Sequence, residues 1–131
     1  MKELLDRFVE IELTLSRENG AFSLFALFLR EDAVDRWDLI VAAPWVDADR
    51  KDALSRITQA IQARFTPEEL SQLSRVVLVD LANPAVDAVN RAIRIRHGQG
   101  EIRDSNFFGL QIKHAYVITS QPLNINEEVV A

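Results

Sequence analysis

The chain has 131 residues, 48% hydrophobic and 27% charged, and its 15 basic and 20 acidic residues give a formal net charge of −5. This is the length of one domain of ordinary globular composition, which excludes long disordered, collagen-like and low-complexity classes. The absence of cysteine excludes disulfides, a thiolate nucleophile and cysteine-ligated zinc, and the acidic balance argues against a general nucleic-acid binder.

The amino terminus mixes acidic and apolar residues. A secretory signal peptide needs a basic start followed by an uninterrupted apolar run, so this segment does not fit one. The longest strongly apolar runs, 21–29 and 39–46, are much shorter than the ~20 residues that span a bilayer. We therefore expect a soluble cytoplasmic protein with no membrane partner.

The first segment allows two interpretations. Leu5, Phe8, Glu12 and Leu15 recur at helical spacing, whereas the apolar residues at every second position of 9–15 fit a strand. The Asn-Gly pair that follows is compatible with a hairpin turn or with a helix C terminus. We predict a helix over 2–17, because the first eight residues lack strand character.

Two short apolar segments come next and predict neighbouring strands. Residues 22–30 form a nearly continuous apolar run with three phenylalanines, which is typical of a strand buried on both faces. Residues 37–43 have the same character and end at Pro44. Because the polar connection between them is too short for a parallel crossover, we predict an antiparallel hairpin.

The centre of the chain is predicted to be helical. Residues 47–65 have an amphipathic pattern, and Asp47 or Asp49 can cap the N terminus of this helix. Its predicted buried face consists of Leu54, Ile57, Ile61 and Phe65. The sequence Thr-Pro-Glu-Glu at 66–69 is a capping box, which predicts a short helix ending near residue 74.

The remaining elements alternate between strand and helix. Residues 75–81 are rich in β-branched residues and predict a buried strand. Pro84 begins a helix, with Val86, Val89, Ala92 and Ile93 directed inward. After a glycine-containing break, 107–109 and 115–119 are the last predicted strand pieces.

The order α-β-β-α-α-β-α-β predicts an α+β fold. We expect a single mixed, mostly antiparallel sheet of four to five strands, packed by three to four helices. We assign residues 1–120 to one domain and 121–131 to a C-terminal tail.

Few residues in the chain suggest catalysis, since the sequence has no glycine-rich phosphate loop, no nucleophile elbow and no HExxH motif. Asp80 ends a predicted strand, where ligands gather in parallel sheets, and Asp38 lies at the start of another. If the two strands are neighbours, both carboxylates could hold Mg²⁺ and, with Lys113, support a metal-dependent phosphodiester or nucleotide hydrolase. In an antiparallel layout the two residues instead lie at opposite ends of the sheet, as ordinary turn and ion-pair residues.

A histidine is the other catalytic candidate. His97 follows a predicted helix in a glycine-containing loop, near Arg94 and Arg96, and is a candidate general base. The sequence offers it no partner nucleophile. We therefore predict no metal and no cofactor, and we do not favour an enzyme.

Arginines make one region of this acidic chain basic. They are Arg91, Arg94, Arg96 and Arg103. Arginine binds carboxylate and phosphate in bidentate fashion, so the cluster is a candidate anion- or partner-binding patch. The alternative is that these cations complement a helix dipole and are simply solvated.

Two further features favour contacts with other proteins. The acidic stretch 31–52 complements the arginines, which suggests self-association or docking with a basic partner. Trp45 is a candidate partner contact if it is exposed, and a lid over the core if it is not. We therefore favour a small protein-interaction or regulatory module, accessory or antitoxin-like, that acts as a homodimer or with a protein partner. The metal-dependent hydrolase is the alternative, and nucleic acid is not an expected partner.

Overall fold

A computed structural model describes residues 1–32, 35–107 and 109–123. The strands are β1 (Leu24–Arg30), β2 (Trp37–Ala42), β3 (Leu73–Leu78), β4 (Gly100–Phe107) and β5 (Leu110–Ser120). The helices are α1 (Leu5–Asn19), α2 (Pro44–Ala48), α3 (Arg50–Arg64), α4 (Pro67–Leu70) and α5 (Pro84–Ala92), and a 3-10 turn (Lys2–Leu4) precedes α1. The predicted α+β class is confirmed, and its strand and helix counts fit.

The five strands form one sheet in the order β3-β2-β1-β5-β4. The predicted hairpin is confirmed, because β1 and β2 pair antiparallel with Leu24 opposite Ala42. β2 and β3 are parallel, and α3 in the long connection between them supplies the crossover that parallel strands require. All other pairings are antiparallel, so β3 and β4 are the edges of a mixed, mostly antiparallel sheet.

Helices cover the two faces of the sheet unequally. Phe25 and Leu27 of β1 pack with α1 and α3, and we call this side the α1 face. Leu24, Ala26 and Phe28 alternate to the opposite side, the α5 face, where the nine-residue α5 is the one helix that packs among the described residues. Burial on both faces explains the uninterrupted apolar sequence of β1. No helix among the described residues is long and apolar enough to cross a membrane.

The helical interpretation of the first segment is confirmed. α1 runs to Asn19 and ends at Gly20, whose φ of +125° suits glycine. Leu5, Phe8 and Leu15 are buried at helical spacing against the α1 face. One polar residue, Glu12, shares that buried face and is fully enclosed.

The predicted helix 47–65 is corrected in two respects. It is two helices, since α2 begins at Pro44 and Asp49 caps α3 by accepting a 3.1 Å hydrogen bond from the backbone of Asp52. Leu54 is 40% exposed rather than inward, because the buried face of α3 runs through Ala53, Ile57 and Ile61.

Two strand predictions also change. β3 begins at Leu73, so α4 ends at Leu70, before the predicted residue 74, and β3 is a half-exposed edge strand rather than a buried one. β4 was not predicted, because an edge strand that carries Glu101, Arg103 and Asp104 shows no apolar alternation. The piece predicted at 115–119 is confirmed as part of β5. Of the piece predicted at 107–109, Phe107 ends β4, Gly109 lies in a turn, and residue 108 is outside the described residues.

The C-terminal half of the chain differs in smaller ways. Val86 and Val89 of α5 are buried as predicted, but Ala92 is exposed and Ile93 is only partly buried, because α5 ends at residue 92. Residues 121–123 form no helix or strand, and the rest of the predicted tail lies outside the described residues.

A polar clamp ties α4 to α1. The capping box at Thr66 and Glu69 is confirmed. Arg7 of α1 donates to both carboxylate oxygens of Glu69, at 2.9 Å from Nη1 to Oε1, and its guanidinium lies 4.8 Å from the ring centroid of Phe65. The hydrogen bond from Arg7 and that from the backbone of Thr66 lower the pKa of Glu69 from 4.5 to about 2.

This clamp predicts a loss of stability in acid. A carboxyl with a depressed pKa in the folded state takes up a proton on unfolding, so its stabilising effect is present above pH 4.5 and is lost as the pH falls towards about 2. We expect Glu69→Gln to flatten this part of the pH profile, measured as the urea midpoint between pH 6 and pH 2. Glu68→Gln, at an exposed neighbour without an ion pair in the described structure, is the control, and equal flattening in both variants would contradict the assignment.

Candidate functional site

The candidate site lies at the β3 end of the sheet, around a buried carboxylate. The side chain of Asp38 on β2 is only 3% exposed. Its Oδ2 lies 3.1 Å from Nε of Arg30 on β1, and its Oδ1 lies 3.3 Å from Nε of Arg75 on β3. The strand register places the three together, because Asp38 pairs with Phe28 on one side and with Arg75 on the other.

These charges form one end of a cavity on the α5 face, of about 360 Å³ including its open mouth. The rest of the lining is apolar and consists of Phe28, Ile40, Val77, Val79, Leu110 and Ile112. Asp38 Oδ1 and Arg30 Nε are buried without a hydrogen-bond partner among the described residues, although both lie within ion-pair distance. Buried polar atoms without a hydrogen bond are uncommon in folded proteins, so this end of the cavity is a candidate binding site.

A second groove runs along the other side of β3. It lies between α3 and the strand, measures about 450 Å³ with its open side, and is lined by Thr58, Ile61, Gln62, Leu70, Leu73, Ser74, Arg75 and Val76. The edge strand therefore separates two grooves, one on each face of the sheet. Its apolar side chains are half-buried rather than covered.

The backbone of β3 offers hydrogen bonds along its free edge. Val79 donates its N–H to the carbonyl of Val41 at 2.9 Å, and this fixes the alternation along the strand. The backbone groups of Val76 and Leu78 must then point away from β2. The carbonyl of Leu78 accepts a 3.1 Å bond from Arg50, whereas both backbone groups of Val76 lack a partner within the described ranges.

The two aspartates singled out in the sequence do not meet. Asp80 is 69% exposed and pairs with Arg50. It follows Arg75, the register partner of Asp38, by five residues, or about 16 Å of extended chain at about 3.3 Å per residue. One ion cannot bind both carboxylates, since Mg²⁺ and Ca²⁺ contact oxygen at about 2.0–2.6 Å. No group of three or more metal-ligating side chains comes together in the part of the chain that is described.

His97 lies in a second buried polar cluster beside β5, which two strands separate from β3. Its Nδ1 contacts Oε1 of Glu12, whose side chain is fully buried on α1. Thr119 of β5 completes the cluster by donating to Glu12 Oε2 at 2.9 Å and accepting from the backbone N–H of His97 at 3.1 Å. His97 has a φ of +53°, in the left-handed region, so this cluster holds a strained backbone.

The Glu12 cluster has the geometry of an oriented imidazole. With Nδ1 on a carboxylate, Nε2 is the ring nitrogen left for proton transfer, and the side chain is 30% exposed. No serine, threonine or cysteine nucleophile beside that nitrogen is apparent among the described residues, since Thr119 is buried and already bonded. The general-base role of His97 stays a prediction.

The structure separates the arginine cluster. Arg91 pairs with Asp87 at 2.9 Å on the exposed side of α5, and Arg94 donates to the carbonyl of Asn90 at 3.1 Å. Arg96 is exposed and has no side-chain partner within the described part of the chain. These three residues belong to α5 and the loop after it, so they can still act together.

Arg103 belongs to a different network. It pairs with Glu101 at 3.3 Å, and Glu101 also accepts a 3.1 Å bond from Nε2 of His114. The bond from His114 is the main cause of the lowered pKa of Glu101. The ring of His114 contacts that of Tyr116 in a tilted geometry, and Tyr116 packs on the α1 face. Arg103 pairs with His114 in the strand register, so it lies on the opposite side of the sheet from α5.

Trp45 is placed over the core rather than in a free turn. It lies on α2, is half-buried, and packs edge-on against Phe22 with ring centroids 5.5 Å apart. Its indole nitrogen is buried without a hydrogen-bond partner in the described residues. This position matches the lid interpretation of its sequence context.

Sequence reasoning missed three parts of these sites. Glu12 stands at a helical position between Phe8 and Leu15, and a carboxylate on an apolar helix face is a signal that was available. Arg75 and the open edge of β3 carry no local signal, because both depend on which strands become neighbours.

Comparisons with known proteins give no match for this chain, whether with family models, curated proteins or solved structures.

Proposed function

We propose that this chain is a protein-interaction module that pairs with a second copy of itself through β3. The observation that carries the proposal is an apolar edge strand with free backbone groups between two grooves. An added strand forms main-chain hydrogen bonds with such an edge, and its alternate side chains enter the grooves on the two faces.

The other edge of the sheet is poorly suited to pairing. β4 carries Glu101, Arg103 and Asp104, and Asp104 has a φ of +50°, which bends the strand locally. Charges and backbone irregularities are the means by which proteins block edge strands. β3 has Arg75 as its single charged residue, and Asp38 neutralises that residue.

A second copy of the chain suits the free edge of β3 because this strand is self-complementary. Antiparallel pairing about a two-fold axis at Val76 places Val76 opposite its copy, where the two residues exchange their free backbone hydrogen bonds. The same register places each Arg75 opposite Val77 of the partner, so no like charges face each other. The half-buried apolar residues of β3 are then covered on both copies.

Proline at position 76 tests the pairing. Its N–H points away from β2, so Val76→Pro leaves the native sheet bonds intact, as proline does on edge strands. A symmetric pair loses two backbone bonds of about 1 kcal/mol each, so we expect the dimer Kd to rise about 30-fold. Sedimentation velocity and native mass spectrometry over a concentration series measure it, with Val76→Thr, which keeps the N–H, as the matched control.

A second variant tests pairing at β3 in case Val76→Pro does not fold. Ser74→Lys adds a charge at an exposed edge position and is expected to weaken pairing without changing the circular dichroism spectrum. A wild-type chain that is monomeric at about 100 μM, or a dimer whose Kd is the same in all variants, would refute pairing at β3.

A further inference from the structure

We propose that the cavity on the α5 face binds a small apolar carboxylate, with the carboxylate on Arg75 and the hydrocarbon part along the apolar wall. The cavity lies within one copy of the chain, but it is also one of the two grooves that a paired strand would enter. The proposal therefore concerns the unpaired chain, and it is tested in the Val76→Pro background, where its failure is distinguishable from a failure of pairing at β3.

Arg75 has donors that no described residue uses. Its Nε faces Asp38, and its two terminal nitrogens have no partner in the described parts of the chain. The side chain is 52% exposed, so these donors can be reached from solvent. A guanidinium offers parallel N–H groups that match both oxygens of a carboxylate.

Arg75 is held in place before a ligand arrives. Asp38 is 3% exposed and contacts Arg30 as well as Arg75, so it holds both guanidinium groups at one end of the cavity. Arg30 has a second partner, the exposed Asp32 at 3.4 Å, whereas Arg75 has none among the described residues. A cation held by a buried acid loses little freedom when it binds an anion.

Only some of the donors at this end of the cavity can be reached by a ligand. Nε of Arg30 is buried and faces Asp38 Oδ2 at 3.1 Å, so it is closed to a ligand. The terminal nitrogens of the half-exposed Arg75 are the donors that solvent can reach, and they suit a head group that accepts hydrogen bonds.

The wall of the cavity is apolar. Six apolar residues line it, and Leu110 among them is 37% exposed. The enclosed part measures about 80 Å³, below the range of drug-sized ligand pockets, and its open mouth brings the space to about 360 Å³, so it suits a short chain that extends into the mouth. Each buried methylene contributes about 0.8 kcal/mol, so octanoate should bind about 15-fold more tightly than hexanoate.

The experiment titrates the ¹⁵N-labelled Val76→Pro chain with four probes and follows backbone amide shifts. The probes are sodium hexanoate, sodium octanoate, acetate and 1-octanol. We expect both fatty acids to shift the amides of Val77, Val79 and Ile112, and acetate and octanol to bind at least tenfold more weakly than octanoate. Arg75→Gln should weaken octanoate at least tenfold, whereas Arg96→Gln, at an exposed arginine outside the cavity, should not change its affinity.

Several outcomes would overturn the proposal. They are no octanoate shift at millimolar concentration, equal binding of octanoate and octanol, equal binding of octanoate and acetate, and equal loss in the two arginine variants. Val77→Phe fills the cavity and should abolish binding without touching Arg75. Binding that survives this substitution at full affinity would locate the ligand elsewhere.

Discussion

Replacing His97 with glycine is expected to lower the free energy of unfolding by about 3 kcal/mol, because it leaves a buried carboxylate without its main partner. Glu12 is 0% exposed and would retain only the 2.9 Å bond from Thr119. Glycine accepts the φ of +53° without strain, and its extra freedom in the unfolded chain costs only about 0.5–1 kcal/mol, so most of the expected loss belongs to Glu12. Urea unfolding at pH 7, followed by tryptophan fluorescence, measures the change.

Asparagine at the same position is the matched control. It tolerates the left-handed conformation, and its side-chain amide can donate to Glu12 in place of the imidazole Nδ1. We expect His97→Asn to recover at least half of the stability that His97→Gly loses. If the glycine variant lies within about 1 kcal/mol of the wild type, Glu12 does not depend on His97.

Asp38→Ala is the second substitution with a large expected effect, also about 3 kcal/mol of unfolding free energy. It removes the acid between two arginines and leaves the buried Nε of Arg30 without its ion-pair partner, since Asp32 contacts Nη1 of Arg30 instead. Arg75→Gln removes the half-exposed partner instead, and we expect it to cost less than about 1 kcal/mol.

Asp80→Ala is the control for the effect of burial on these ion pairs. Asp80 also pairs with an arginine, but it is 69% exposed, so its removal is expected to change the unfolding free energy by less than about 1 kcal/mol. Chemical denaturation of the three variants ranks them directly. Equal effects of Asp38→Ala and Asp80→Ala would mean that burial does not increase the contribution of Asp38 to the unfolding free energy.

Local patterns predict those parts of the fold in which one element decides its own structure. The apolar sequences of β1 and β2, the capping box at Thr66 and the proline that begins α5 each carry their own signal, and the structure contains all four. β4 escapes prediction because an edge strand needs little apolar sequence. β3 looks buried in sequence, and only the strand order makes it an edge.

In the candidate sites, too, local patterns predict some residues and not others. Asp38 and His97 stand out locally as a charge at a strand start and a histidine in a glycine-containing loop. Their partners do not, since Glu12 precedes His97 by 85 residues and Arg75 meets Asp38 only through the parallel pairing of β2 and β3. The order and direction of the strands decide which distant charges pair. No local spacing of residues in the sequence reveals that order.

The unequal edges of the sheet limit how large an assembly can become. If two copies join at β3, the joined sheet ends in a β4 strand on each side, and both ends carry charges and the irregularity at Asp104. A third copy then finds no receptive strand, so growth stops at two rather than continuing into a fibre. The polar composition of β4 thus acts as a terminator.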